Sequence, residues 1–328
     1  MRRRDFITAL GSAAVAWPLA ARSQQATLPV IGFLSSYSPD AFGQQVLATF
    51  LQGLADAGFA EGRNVAIEVR WTEGHYDRLP AMAADLARRQ VNVIFATSTP
   101  NALAAKAATT TIPIVFAFSS DPVALGLVAS LARPGGNITG VTRLSVEMGP
   151  KRLQLIREFV PAATSVALLV NPANPAIAEV EHRQIASAAR ALGLELHVLK
   201  ASNEREIVEA VANAIQLRAG ALVVAPDAFF VTQNALLAAL TLQHRMPAIY
   251  ANREFVAAGG LLAYNGSWAD SVTTAARQVG RILKGEKPAD LPVQQSTKIE
   301  MFINLKTAKA FGLTVPPLVL AQADEVIE

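Results

Sequence analysis

Residues 91–118 read VNVIFATSTPNALAAKAATTTIPIVFAF, and this stretch decides the fold. Two short, mostly apolar runs, Val91 to Ala96 and Ile112 to Phe118, flank a helical pattern over Pro100 to Ala108. Short runs that are apolar almost throughout are typical of strands buried on both faces of a parallel sheet, with a helix as the crossover. The stretch therefore predicts a β-α-β unit.

The same alternation of strand and helix patterns runs along most of the chain, in two series. The first begins at the strand pattern Pro29 to Leu34, and the second restarts at Val166 to Val170. Two successive series predict an α/β fold with two doubly wound, Rossmann-like lobes joined by several chain crossings that form a hinge. The predicted N-terminal lobe comprises residues 28–142 and about 262–288, and the C-terminal lobe residues 143–261 and about 289–328.

The candidate ligand-binding residues lie at or near the ends of the predicted strands, because open parallel sheets bind ligands beyond the carboxyl ends of their strands. The strongest local signal is Thr97-Ser98-Thr99, since hydroxyl and backbone N–H groups at a helix N-terminus suit a carboxylate or another small anion. Ordinary N-capping by Ser or Thr explains the same pattern. The full candidate set is Ser35, Tyr37, Thr97, Ser98, Thr99, Ser119, Ser120, Asp121, Asn171, Asp227, Phe229, Arg253 and Tyr264.

Two of these candidates allow two interpretations each. Asp227, which precedes two phenylalanines, either pairs with a ligand ammonium group beside an aromatic wall or caps a helix whose phenylalanines enter the core. Arg253 either holds a carboxylate through two parallel hydrogen bonds or forms an ion pair with Glu254 or Asp121 that closes the lobes. Tyr37 and Tyr264 are candidates to stack on the apolar part of a ligand.

The N-terminus has the organisation of an export signal. Residues 2–4 are arginines, residues 8–21 are apolar and small, and residues 21–23 form an Ala-Arg-Ser cleavage pattern. Residues 3–7 (RRDFI) fit the twin-arginine pattern, but an arginine stands where Ser or Thr usually precedes it, so both twin-arginine and Sec export stay open. We predict a soluble periplasmic protein without a lipid anchor, because the chain has no cysteine to carry one.

The charge of the chain argues against a nucleic-acid partner. The formal net charge is +3, but cleavage after Ser23 removes four arginines and one aspartate, which leaves the mature chain neutral. No block rich in Lys and Arg remains, so an electrostatic footprint for phosphates is not expected.

Motifs of enzymes and of metal sites are largely missing. Residues 135–140 (GGNITG) are rich in glycine but lack the order of a dinucleotide fingerprint and precede a strand pattern. We find no phosphate-loop motif and no G-x-S-x-G nucleophile elbow. The four histidines are isolated and cysteine is absent, which disfavours a metal site. We predict no cofactor and no catalytic activity.

Several motifs follow one another over nearly all of the mature chain. They are FAEGRNVAIE at 59–68, TIPIVF at 111–116, DPV and GLV within 121–128, PGGNITGV at 134–141, ILKGEKPAD at 282–290, INLKTAK at 303–309, and PP at 316–317 before ADEVI at 323–327. Together they resemble the ABC transporter substrate-binding protein family, whose better-known members bind tryptophan or tyrosine.

The resemblance implies the type I fold of periplasmic binding proteins, in which two lobes close on a solute that is then delivered to an inner-membrane permease. It also implies that Thr97 to Thr99, Ser119 to Asp121, Asn171 and Asp227 lie in the cleft loops.

We therefore predict a monomeric periplasmic protein that binds a small organic solute for an ABC permease. An aromatic or other apolar amino acid, or a related carboxylate, is favoured as the solute. A periplasmic ligand sensor for a membrane receptor is the alternative. A Rossmann-like enzyme is disfavoured by the missing cofactor fingerprint and by the export signal.

Overall fold

The computed structural model describes residues 28–143 and 148–328, which form two α/β lobes, each built on one largely parallel sheet. The predicted signal peptide, residues 1–23, lies outside the described residues. Within the described ranges, no helix combines the length and the apolar character that a membrane crossing requires.

The strands alternate with helices along most of the chain. In chain order the strands are β1 (Val30–Ser35), β2 (Ala66–Trp71), β3 (Val93–Ala96), β4 (Ile114–Phe118), β5 (Ile138–Thr142), β6 (Ser165–Val170), β7 (Glu195–Lys200), β8 (Leu222–Val224), β9 (Ala248–Tyr250), β10 (Leu262–Gly266), β11 (Gln294–Gln295), β12 (Ile299–Asn304) and β13 (Glu325–Ile327). The helices are α1 (Ala41–Asp56), α2 (Leu79–Arg88), α3 (Thr99–Ala108), α4 (Gly149–Phe159), α5 (Pro175–Ala191), α6 (Glu204–Gln216), α7 (Ala228–Thr232), α8 (Asn234–Gln243), α9 (Arg253–Ala257), α10 (Trp268–Leu283), α11 (Leu305–Phe311) and α12 (Pro317–Leu320).

The first sheet has the strand order β11-β5-β4-β3-β1-β2, and all its described pairs are parallel. The strands that position the site end together at one edge. Leu34 of β1 lies opposite Ala96 of β3, which in turn lies opposite Phe116 of β4. The loops that follow these three strands are therefore neighbours in space.

The second sheet has the order β13-β12-β10-β9-β8-β6-β7. Its described pairs are parallel except for β10 and β12, which run antiparallel. Val223 of β8 lies opposite both Leu168 of β6 and Ile249 of β9, so the loops after these strands also converge at one edge. Helices cover both faces of each sheet, which is why strands such as β4 and β6 are buried along their whole length.

A late helix returns to the first lobe. Helix α10 packs beside α1, and Gly53 of α1 permits the close approach, because a Cβ atom there would lie only 2.8 Å from the Cβ of Ala276. The predicted α/β fold with two Rossmann-like lobes and several chain crossings is confirmed.

The crossings lie at slightly different positions from those predicted. The chain passes between the lobes after β5, between β10 and α10, and between β11 and β12. Residues 262–266 were assigned to the N-terminal lobe, but β10 pairs with β9 and β12 in the second sheet. Residues 294–295 were assigned to the C-terminal lobe, but β11 pairs with β5. Strands this short carry no pattern of their own that indicates their partner.

Candidate functional site

A cavity lies between the carboxyl edges of the two sheets. The empty space in and around it is about 400 Å³, a volume that includes open solvent at its mouth. Residues from both lobes form its wall: Tyr37, Thr97, Ser98, Thr99, Phe118, Ser119 and Arg143 from the first, and Asn174, Ile177, Pro226, Asp227, Ala228, Val231, Asn252 and Asn265 from the second.

Hydroxyl groups of the first lobe hold one another in place at the start of α3. Ser36 Oγ lies 2.7 Å from Ser98 Oγ and donates to Asn101 Oδ1 at 2.5 Å. Asn101 Nδ2 in turn donates to the carbonyl oxygen of Leu34 at 2.7 Å, which ties α3 to β1. Ser98 also accepts from the backbone N–H of Asn101 at 3.4 Å as the N-cap of α3. N-capping thus occurs here, and residues 97–99 line the cavity as well.

Arg143, directly after β5, contributes a guanidinium group to the cavity wall. Its Nη2 donates to Ser119 Oγ at 3.1 Å, and the guanidinium also hydrogen-bonds to the phenol of Tyr37. Burial lowers the pKa of Arg143, and the neighbouring Tyr37 acts in the opposite direction. Burial raises the pKa of Tyr37. Within the described residues, the buried Nε of Arg143 has no hydrogen-bond partner. A partly buried cation with an unused donor suits a ligand carboxylate.

The carboxylate of Asp227 accepts hydrogen bonds from four uncharged groups. Asn171 Nδ2 donates to Oδ1 at 2.8 Å, and Asn174 Nδ2 donates to Oδ2 at 2.7 Å. The backbone N–H of Phe229 donates to Oδ1 at 3.1 Å, so Asp227 is the N-cap of α7. The hydroxyl of Tyr76 lies 3.0 and 3.1 Å from the two carboxylate oxygens. Burial raises the pKa of Asp227, and these hydrogen bonds act in the opposite direction.

Tyr76 and Tyr250 approach Asp227 from different lobes. Tyr76 lies in the turn Tyr76–Arg78 before α2 of the first lobe, so its hydrogen bond to Asp227 crosses the cleft. Tyr250 ends β9 in the second lobe and donates to the carbonyl oxygen of Asp227 at 2.9 Å. Burial, with the nearby carboxylate, raises the pKa of both tyrosines well above the usual value, so both phenols are protonated donors at neutral pH.

The structure brings several sequence-predicted residues together in the cavity wall. They are Tyr37, Thr97, Ser98, Thr99, Ser119 and Asp227. Others lie behind that wall and hold it: Ser35 accepts from the backbone N–H of Tyr37 at 3.2 Å, Ser120 lies 2.9 Å from the hydroxyl of Thr99, and Asn171 donates to Asp227.

The remaining predicted residues lie outside the cavity wall. Asp121 caps its own loop by accepting from the backbone N–H of Val123 at 2.8 Å. Phe229 packs across the lobe interface, where a Cβ atom on Gly74 would lie 3.2 Å from its Cδ2. Tyr264 packs against the core of the second lobe, because neighbouring residues of a strand point to opposite faces and Asn265 takes the cavity side.

The contacts of Asp227 and Arg253 bear on the two interpretations that the sequence allows for each of them. Asp227 caps α7, and Phe230 behind it is fully buried, as the capping interpretation describes. Arg253 pairs neither with Glu254 nor with Asp121. Its Nε and Nη2 donate to Glu325 at 2.6 and 2.5 Å within the second lobe, so it does not tie the lobes together through this pair.

Several important side chains were missed from the sequence. Arg143 follows β5 directly, so the strand-end rule would have found it if it had been applied there, whereas Asn265 lies within β10 next to the candidate Tyr264. Tyr76 carries no such signal, because it reaches Asp227 only through the arrangement of the lobes. No group of three or more metal-ligating side chains is assembled in the part of the chain that the structure describes.

Comparison with known proteins shows which family the chain matches. The model of a family described as "ABC transporter substrate binding protein" matches residues 31–327. The chain is also similar to a tyrosine-binding protein of Clostridioides difficile (strain R20291), with 26% identity over 265 residues, which is 80% of this chain and 75% of the relative.

Solved structures share the whole architecture. A conserved domain protein from Vibrio cholerae has a TM-score of 0.84 at 25% identity, over 92% of this chain and 100% of the other. A domain from Streptococcus pneumonia in complex with L-Trp has a TM-score of 0.83 at 24% identity, with the same coverage. The ligand-free, open structure of a substrate-binding protein with adhesive properties from Clostridium difficile has a TM-score of 0.64 at 25% identity, over 92% of this chain and 99% of the other.

Proposed function

Since the chain belongs to the ABC transporter substrate-binding protein family, we propose that it is the periplasmic component of an importer, which binds an amino acid between its lobes and delivers it to an inner-membrane permease. The family and the similar structures are solute-binding proteins rather than enzymes, which confirms the prediction that the chain is not catalytic. The observation that carries the proposal is the cavity between the lobes with Arg143 in its wall.

The carboxylate of the solute is held by the first lobe. Arg143 offers an unpartnered Nε, and Thr97 and Thr99 line the same cavity. The N-terminus of α3 opens at this point, and its dipole favours a negative charge. Arg143 is desolvated, which lowers its pKa. A charge-assisted hydrogen bond from Arg143 to a carboxylate therefore stabilises the bound state more than it would in water.

The apolar part of the solute lies against the hydrophobic section of the wall, which is formed by Phe118 from the first lobe and by Ile177 and Val231 from the second. An aromatic amino acid is supported by the similarity to a tyrosine-binding protein at 26% identity. Tyr37, whose ring packs edge-on against Phe42 at 5.1 Å between centroids, adds an aromatic surface to the same cavity.

Solute binding favours the closed arrangement of the lobes, because only there do residues of both lobes reach one ligand. The lobe arrangement described here supports this, since the TM-score is 0.83 for the L-Trp complex but 0.64 for the open, ligand-free protein, at nearly equal identity and coverage. Both lobes that line the cavity belong to the same chain, and we propose a monomer as the binding unit. The sequence features of residues 1–23 support export to the periplasm.

Thermal unfolding of the mature chain tests this proposal against a panel of amino acids and organic carboxylates. A solute present at about 100 times its Kd stabilises the folded state by about 2.7 kcal/mol and raises the melting temperature accordingly. The expected result is stabilisation by one or a few α-amino acids. If no solute in the panel raises the melting temperature, the proposal fails.

A further inference from the structure

Polar atoms without a hydrogen-bond partner lie in the wall of the cavity and in a compartment beside it, and they differ in kind. On the first-lobe side the atom is a donor, Nε of Arg143. On the second-lobe side the atoms are acceptors, Oδ1 of Asn265 and Oε2 of Glu254. Leaving a buried polar group unpaired is costly, so such groups in the wall of a binding site are expected to be satisfied by water, by an ion or by a ligand. The donor side fits a carboxylate, and the acceptor side fits a group that donates.

The acceptors lie in a compartment that adjoins the main cavity, with Asn265 in the wall of both. Asn265 is 6% exposed, so its unpartnered oxygen is well shielded from solvent. Burial and, to a smaller extent, the charge of Glu254 raise the pKa of Tyr37, which lines the main cavity. The compartment is further lined by Gln45, Ala251, Arg253, Gly266, Trp268, Ala269, Glu300, Phe302 and Glu325.

The other charges of this compartment are compensated. Arg253 and Glu325 form a pair with two parallel hydrogen bonds, and Lys298 lies 2.8 Å from Glu300. Burial raises the pKa of the Glu254 carboxyl group, while a hydrogen bond from its own backbone N–H and the charge of Arg253 act in the opposite direction. Glu254 forms no ion pair like those of Glu325 and Glu300, and its Oε2 has no hydrogen-bond partner among the described residues. It is therefore the carboxylate of this compartment whose charge a ligand cation would balance.

Asp227 is a poorer acceptor for a ligand, although it was the candidate from the sequence. Its two oxygens already accept from Asn171, Asn174, Tyr76 and the N–H of Phe229. A carboxylate offers about four lone-pair positions, and these donors occupy them.

We propose that Glu254 and Asn265 form the subsite for the ammonium group of the solute, opposite the carboxylate subsite at Arg143. The inference rests on the proposed function and deepens it, because it assigns the solute to zwitterions rather than to simple carboxylates. The ammonium donates to Glu254 Oε2 and Asn265 Oδ1, and its charge balances that of Glu254.

Isothermal titration calorimetry on the mature chain tests this inference with matched ligand pairs. Each pair consists of a proteinogenic L-amino acid and the carboxylic acid that lacks its α-amino group, such as L-tyrosine and 3-(4-hydroxyphenyl)propanoate. The wild type is expected to bind an amino acid at least about tenfold more tightly than its partner acid, the effect of one charge-assisted hydrogen bond. Glu254→Gln and Asn265→Leu are expected to remove most of that preference and to change the affinity for the partner acid by less than about twofold.

Glu209→Gln serves as the matched control, because Glu209 is exposed on α6 and pairs only with Arg205 among the ion pairs of the described chain. It is expected to keep the full preference. Thermal unfolding without ligand verifies that each variant is folded. If Glu254→Gln does not fold, Asn265→Leu alone tests the ammonium subsite. Equal loss of affinity for both members of a pair, or an unchanged preference, overturns the ammonium subsite but leaves the proposed function intact. If the wild type binds no member of any pair, the proposed function and the subsite fail together.

Discussion

The hydroxyl of Tyr76 in the first lobe lies 3.0 Å from Oδ1 of Asp227 in the second, and this hydrogen bond joins the lobes without a ligand. Its donor and acceptor are 151 residues apart in sequence. Opening of the cleft must break it, so the bond contributes to the free-energy difference between the open and closed forms. The residues that determine affinity therefore include some that touch no solute.

Replacing Tyr76 by Phe is expected to lower the affinity for the solute by about tenfold, because a hydrogen bond to a charged group contributes about 1.5–3 kcal/mol and part of this is recovered by water. Calorimetric titration measures the affinity, and small-angle scattering without ligand should show a larger population of the open form. Tyr264→Phe is the matched control, since Tyr264 packs on the core of the second lobe away from the cavity. Equal affinities of Tyr76→Phe and the wild type would contradict a role in closure.

Gly74 makes a second contact across the cleft. It has a φ of +78°, and an added Cβ atom would lie 3.2 Å from Phe229 Cδ2. Gly74→Ala is expected to cost about 1 kcal/mol in backbone conformation and also to weaken solute binding, because the methyl group presses on Phe229 only when the lobes are closed. Gly62 has a similar φ of +73° with nothing within 4 Å of its would-be Cβ. Gly62→Ala should therefore lose comparable stability in a thermal unfolding experiment and keep its affinity. Parallel losses of affinity in both variants would refute the closure argument.

Arg143→Met is expected to reduce the affinity for carboxylate-bearing solutes by about 100-fold, because it removes a desolvated cation from the wall of the cavity. The corresponding amine without a carboxylate, such as tyramine in place of L-tyrosine, should lose far less. Arg277→Met, which disrupts an exposed pair with Asp56, is the control and should bind both ligands as the wild type does. If Arg143→Met lowers the affinity for the amine and for the amino acid to the same extent, Arg143 stabilises the cavity wall instead of binding the carboxylate.

The sequence predicts the features of this molecule that depend on local interactions, and not those that depend on contacts between distant residues. The strand patterns Val91 to Ala96 and Ile112 to Phe118 correspond to β3 (Val93–Ala96) and β4 (Ile114–Phe118), because continuous burial leaves an apolar signature in the chain itself. Residues at strand ends, such as Thr97 and Ser119, could be placed near a cleft for the same reason. Asn171 was placed in a cleft loop and Asp227 was a candidate helix cap, but the approach of Asn174 and Tyr76 to this carboxylate could not be predicted, since it requires the packing of several loops and of both lobes. The same holds for the pairing of β10 and β11, whose partners are set by chain crossings.

The core of the second lobe contains a charged pair that should make stability depend on pH. Arg152 Nη2 donates to Glu181 Oε1, and neither side chain is exposed. Burial raises the pKa of Glu181 to about 7, although Arg152 acts in the opposite direction. In the unfolded chain the pKa returns to about 4.5, so between these values the folded state binds more protons than the unfolded state. The free energy of unfolding should therefore fall as the pH rises from about 4.5 to about 7, by at most about 1.4 kcal/mol per pH unit from this group.

Urea unfolding of three variants at pH 5 and pH 8 separates this pair from other titrating groups. Glu181→Leu removes the carboxyl group that accepts from Arg152 Nη2 and is expected to cost about 3–5 kcal/mol at pH 5. The cost should be smaller at pH 8, because the wild type has by then lost the stability that depends on Glu181. The double variant Arg152→Met with Glu181→Leu removes both charges and should be near neutral at pH 5 and more stable than the wild type at pH 8. Arg205→Met with Glu209→Leu removes an exposed pair on α6 and should keep the pH dependence of the wild type. A double variant at Arg152 and Glu181 whose stability still falls by the wild-type amount between pH 5 and pH 8 would show that another group carries the dependence.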